Sequence, residues 1–155
     1  MRLRSNNLKG VLLATAMIAG SASIAMADNT DTNGWQGNDT NGWYYYEEGQ
    51  KATGWKFINN VWYYFDKTGL MAQDELVYIS GETYYLNPTG AMATGWKQVD
   101  AKWYFLNEKD GNMETGWKYY NNQWYYLNPG SGEMATNRWI NNWYVDSNGV
   151  WTQTR

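Results

Sequence analysis

A chain of 155 residues without a single Cys or His has no disulfide framework, no thiol nucleophile, no imidazole base and few routes to a zinc site. Its formal charge of −3 disfavours nucleic acid and anionic lipid, whose phosphates call for Lys and Arg. Aromatics make up 18% of the chain while Leu, Ile and Val are scarce, a poor recipe for one conventional core and a better one for a stack of small units.

The first predicted element is a secretory signal peptide over 1–27. Arg2, Arg4 and Lys9 form its basic start, "VLLATAMIAG" is its short apolar run, and "AMA" ending at Ala27 has the form of a cleavage site. The run is too short to span a bilayer, so no membrane insertion is expected. Processing removes those three cations and leaves nine Lys and Arg against 15 Asp and Glu, a net charge of −6. Residues 28–33 read as a short linker, and 34–155 as a single repeat domain.

The repeat has a period of roughly 20 residues. Each unit carries Gly-Trp, a polar bend, a Trp-Tyr-Tyr run, a turn glycine and a Met. The first tryptophan column runs Trp35, Trp55, Leu76, Trp96, Trp117, Trp139, and the second Trp43, Trp62, Thr83, Trp103, Trp124, Trp143. Turn glycines fall at Gly49, Gly69, Gly90, Gly111, Gly132 and Gly149, and Met71, Met92, Met113 and Met134 follow four of them. Asn59-Asn60, Ser80-Gly81, Asn121-Asn122 and Asn141-Asn142 supply residues that tolerate positive φ between β-prone aromatic runs, so every unit is expected to be a hairpin. The fold class is therefore all-β, a solenoid of tandem hairpins with no helix after the signal segment. The last unit, "RWINNWYVDSNGVW", is shortened and reads as a terminal cap, with Trp151 in the place of the next Met.

On these residues alone the Trp pairs admit three readings: a cage for an organic cation, a stacking platform for sugar rings, or solenoid core. Strand alternation puts Trp62 and Tyr64 on one face and Tyr63 and Phe65 on the other, which makes Tyr64 the expected third wall of a box. No catalytic residue is expected. Glu47-Glu48 and Asp74-Glu75 are the only carboxylate pairs worth weighing for glycoside hydrolysis, and both sit in or beside turns. No cofactor or metal site is expected either.

The unit "TGW…WYYF…G-x-MATGW" closely resembles the cell-wall-binding repeats of the choline-binding proteins of pneumococci, their phages and related Firmicutes, over about Gly34 to Trp151. The resemblance implies a left-handed solenoid of hairpins, exported and attached non-covalently to the Gram-positive wall through phosphocholine on teichoic or lipoteichoic acid. It also implies choline held between consecutive hairpins by two Trp of one unit and a Tyr of the next, with a Met nearby. Carried over, the expected cages are Trp35, Trp43 and Tyr64; Trp55, Trp62 and Tyr85, near Met71 or Met92; Trp96, Trp103 and Tyr126, near Met113 or Met134; and Trp117, Trp124 and Tyr144. Leu76 and Thr83 leave the junction after the third unit without either Trp, and Phe105 stands where a cage Tyr is expected there. Related repeats bind glucans, so a cell-wall glycan is the rival partner, and a structural repeat that forms a homodimer through its terminal hairpins is the third expectation.

Overall fold

The computed structural model describes residues 33–155; the expected signal peptide and nearly all of the 28–33 linker lie outside them. The described chain is a row of six antiparallel units. Hairpin 1 is β1 (Gly34–Asn38) and β2 (Gly42–Glu47), extended by the short β3 (Gln50–Lys51). Hairpins 2 to 5 are β4 (Gly54–Ile58) with β5 (Val61–Phe65), β6 (Glu75–Ile79) with β7 (Glu82–Leu86), β8 (Gly95–Val99) with β9 (Lys102–Leu106), and β10 (Gly116–Tyr120) with β11 (Gln123–Leu127). Hairpin 6 is β12 (Arg138–Ile140) with β13 (Trp143–Val145), closed by β14 (Trp151–Thr154).

The tips carry the chemistry expected of them. Asn59 and Asn60 have φ of 51° and 64°, and Asn121 and Asn122 have 47° and 63°, the paired left-handed conformation of a two-residue turn whose twist matches the flanking strands. The turn of hairpin 4 escaped the sequence reading because it is Asp100-Ala101, and Ala101 sits at φ 62° without the local side-chain bonding that makes Asn tolerable there. Replacing Ala101 with Gly is expected to stabilise the protein by about 1 kcal/mol, the left-handed penalty less the extra chain entropy of glycine, which a urea melt would read as a higher midpoint at unchanged slope.

A two-stranded hairpin is marginal alone, so the units must cover one another. Cross-strand pairing fixes what each face offers. In hairpin 2, Trp55 lies opposite Tyr64 and Phe57 opposite Trp62 on one face; Gly54 lies opposite Phe65, Lys56 opposite Tyr63 and Ile58 opposite Val61 on the other. The opposite face supplies the buried column Phe65, Leu86, Leu106, Leu127 and Val145, each fully inaccessible. Backbone bonds then tie each unit to its predecessor: the Met71, Met92, Met113 and Met134 amides donate to the carbonyls of Trp43, Trp62, Thr83 and Trp103 at 2.7–2.8 Å. The methionine side chains reach the other way, packing on Gly90, Gly111, Gly132 and Gly149 of the following turn. Each Met therefore spans three hairpins, which makes these residues a spine as much as the soft floor the sequence suggested.

Candidate functional site: recesses between hairpins

Because the units stack head to tail, the tryptophan face of one hairpin meets the opposite face of the next. The residue that closes a recess against a Trp pair must therefore lie on the face away from its own hairpin's Trp. The structure accordingly brings Tyr63, Tyr84 and Tyr125 against the preceding unit, with ring centroids 4.9 Å from Trp35, Trp55 and Trp96 and planes at 66–72°. This corrects the expected tyrosines. Tyr64 and Tyr126 lie on their own hairpins' Trp55 and Trp117 at 5.3 and 5.1 Å, and Tyr144 on Trp139 at 5.4 Å. Tyr85 stands opposite Leu76, buried, with its hydroxyl donating to Asp74 Oδ1 at 2.7 Å. Burial first, and that carboxylate second, hold the Tyr85 phenol well above its ordinary range, so it stays a neutral donor committed to its own unit.

Four junctions carry a Trp pair. Between hairpins 1 and 2, Trp35 and Trp43 are half-buried against the cluster of Ala52, Ile58, Phe65 and Met71, and the Trp43 indole donates to Asp39 Oδ1 at 3.0 Å. Between hairpins 2 and 3, Trp55 and Trp62 stand perpendicular at 6.3 Å, Tyr84 closes the third side, and the Met92 amide is bonded to Trp62. Between hairpins 4 and 5, Trp96 and Trp103 repeat this at 6.4 Å and 83°, with Tyr125 as third ring, Tyr120 6.4 Å from Trp96, and Met134 bonded to Trp103. Trp62, Trp103 and Trp124 keep 39–43% of their surface exposed, so a face of each is open to a ligand. Met71 and Met113 bond through their amides to Trp43 and Thr83 of the preceding hairpin, while their side chains reach Gly90 and Gly132 of the following unit, so each borders the junctions on both sides of its own hairpin.

The junction between hairpins 3 and 4 is filled. Tyr104, the counterpart of Tyr63 and Tyr125, is only 6% exposed and packs with Tyr85, Ala93 and Leu106 against Leu76 where the other units have an open recess. Phe105 faces Trp96 of its own hairpin at 5.2 Å, so it is not the residue that decides this junction. The missing Trp pair is.

Perpendicular π faces with few hydrogen-bond donors suit a weakly hydrated cation better than an anion or a strongly solvated ammonium. The chain's own cations already use such faces: Lys51 Nζ lies 3.8 Å over Tyr44, Lys118 Nζ 4.1 Å over Phe105, and the Arg155 guanidinium 4.5 Å over Trp139. The carboxylate pairs hold structure instead. Glu47 binds Lys56 at 2.5 Å, Glu48 occupies a turn at φ 51°, and Asp74 holds Tyr85. Among the described residues no group of acids is placed to hold a metal ion, and no helix is long and apolar enough to cross a membrane.

A family model described as a choline-binding repeat matches residues 52–94 and 93–139, together more than half of the chain. Choline binding protein F from Streptococcus pneumoniae, solved in the presence of a tetrasaccharide-pentapeptide peptidoglycan analogue, is 40% identical over 78% of this chain with a TM-score of 0.69. A CbpF structure in complex with ipratropium gives 41% identity over 78% and a TM-score of 0.69. The modular autolysin LytC from Streptococcus pneumoniae gives 31% over 77% and 0.62. The chain spans 39–40% of the length of the two CbpF chains and 28% of LytC. No curated relative matches it in sequence.

Proposed function

The chain belongs to the choline-binding repeat family, and from that premise we propose that it is a non-catalytic module that attaches an exported protein to the bacterial cell wall by holding phosphocholine of teichoic acid in its recesses. The observation that carries the reading is the repeated set of two near-perpendicular Trp and a Tyr at 4.9 Å between hairpins 2 and 3 and again between 4 and 5. A trimethylammonium head has no proton to donate and gains about 0.5–2 kcal/mol from each ring face it meets. Each recess alone is weak. Several on one chain, facing a polymer with many choline groups, bind by effective concentration. The CbpF structures, one in complex with ipratropium, itself a quaternary ammonium, and one solved in the presence of a peptidoglycan analogue, support the cation and the wall respectively.

Titration with choline chloride at constant ionic strength, against ammonium chloride and maltose, tests this by Trp fluorescence and melting temperature. A saturable response specific to choline is expected, with about 2.7 kcal/mol of added stability per site at a hundredfold excess over Kd. Trp62→Ala is expected to weaken the 2–3 recess by about 2- to 30-fold, the value of one ring face, while Thr83→Ala changes nothing. A glycan is the second reading, favoured by the exposed pairs Phe57–Trp62 and Tyr119–Trp124, each with centroids 5.1 Å apart, that form open shelves at two hairpin tips. A response to maltose without one to choline would transfer the site to that reading.

A further inference from the structure

We propose that Trp143 takes the place of tyrosine as third wall of the recess between hairpins 5 and 6, and that this all-tryptophan recess is the tightest quaternary-ammonium site of the protein. The inference rests on the cation reading above and adds a rank among the sites.

Counting residues along the repeat puts Trp143 in the second tryptophan column with Trp124. Register puts it elsewhere. Hairpin 6 has arms of three residues, where hairpins 2 to 5 have five, and the residues lost are those nearest the tip. Arg138 opposite Val145 corresponds to Gly116 opposite Leu127, so Ile140 opposite Trp143 corresponds to Lys118 opposite Tyr125. Trp143 thus occupies the position of Tyr125, on the face turned to the preceding hairpin. Its ring centroid lies 5.7 Å from that of Trp117 at 83°, the edge-to-face relation that the tyrosines make with the preceding Trp elsewhere. It is 39% exposed, as is Trp124 on hairpin 5, so both indoles keep surface for a ligand.

Two consequences follow for a cation. Indole is the strongest of the aromatic faces for this interaction, so exchanging phenol for indole deepens the well. The cross-strand neighbour of the wall changes as well. Tyr63 and Tyr125 stand beside Lys56 and Lys118, whose ammonium groups raise the local potential even when paired with Glu47 and Glu114. Trp143 stands beside Ile140, which brings no charge. Tyr84, the wall of the recess between hairpins 2 and 3, also stands beside an uncharged residue, Val77, so the neighbour separates the 5–6 recess from 1–2 and 4–5, and the indole face alone sets it above 2–3.

Indole N–H resonances of the full mature chain, followed by ¹H–¹⁵N NMR during addition of choline chloride, resolve the recesses individually. The Trp117, Trp124 and Trp143 signals are expected to saturate at a choline concentration about three- to tenfold below those of Trp55, Trp62, Trp96 and Trp103. Trp143→Tyr restores the ordinary wall with little risk to folding, and is expected to shift the Trp117 and Trp124 curves up to the others. Early saturation that Trp143→Tyr leaves in place, or Trp117 and Trp124 curves that coincide with the rest in the wild type, would overturn the ranking while leaving the cation reading intact. Indoles that respond nowhere would overturn the cation reading, and the inference with it.

Discussion

Gly132→Ala is expected to destabilise the protein by about 2–3 kcal/mol, several times the effect of an ordinary surface change. Gly132 has φ +73°, and a Cβ there would overlap the Met113 sulfur. The left-handed conformation alone costs about 1 kcal/mol for a residue with a Cβ. The remainder comes from displacing Met113, whose backbone amide is fixed to the Thr83 carbonyl at 2.7 Å and whose side chain links that bond to the next turn. Moving it disturbs hairpins 3, 4 and 5 together. Gly116→Ala is the control: it has φ +82° but open space around the added carbon, so only the conformational term applies, about 1 kcal/mol. The double variant Gly132→Ala with Met113→Ala should be less destabilised than the sum of the two single variants, because the overlap is gone. Urea denaturation of the four proteins checks this, and equal losses for Gly132→Ala and Gly116→Ala would refute the spine.

Much of this architecture was legible in the sequence because the repeat states it six times. Asn-Asn and Ser-Gly pairs marked the tips through a single local requirement, positive φ, and Asp100-Ala101 was missed because Ala gives no such signal. The identity of the third wall was not legible for a different reason. Alternation along β5 separates Tyr63 from Tyr64, but it does not say which face meets the previous hairpin. That depends on the direction in which repeats stack, a relation between units that no single unit encodes. Once stacking is known to be head to tail, Tyr63, Tyr84 and Tyr125 follow at once. Trp143 was misplaced by counting from the wrong end: when a hairpin loses its tip, residues keep their distance from the base and not from the turn. The methionines were read for softness, whereas their amide bonds to the preceding hairpin carry their structural role.

The same one-dimensional logic gives the second large effect. Leu106→Ala is expected to cost about 2–5 kcal/mol, the range for emptying a fully buried leucine site. Its location matters more than its size. Leu106 packs with Tyr85, Ala93 and Tyr104 at the one junction that has no Trp pair, so no ligand can bridge hairpins 3 and 4. In a stack where each unit contacts only its neighbours, weakening that interface divides the protein into two blocks, hairpins 1 to 3 and hairpins 4 to 6. On the proposed cation reading, choline is expected to raise the stability of each block through its own recesses and to add nothing across the break, so melting of Leu106→Ala in saturating choline should resolve into two transitions. Leu127→Ala provides the contrast. Leu127 is equally buried, but it lies at the junction closed by Trp96, Trp103 and Tyr125, where a cation bound as proposed would contribute about 2.7 kcal/mol at a hundredfold excess over Kd. That variant should melt in one step with choline and recover most of its loss. If choline restores Leu106→Ala as fully as Leu127→Ala, in a single transition, then hairpins 3 and 4 are bridged by ligand after all, and the filled junction must open in solution.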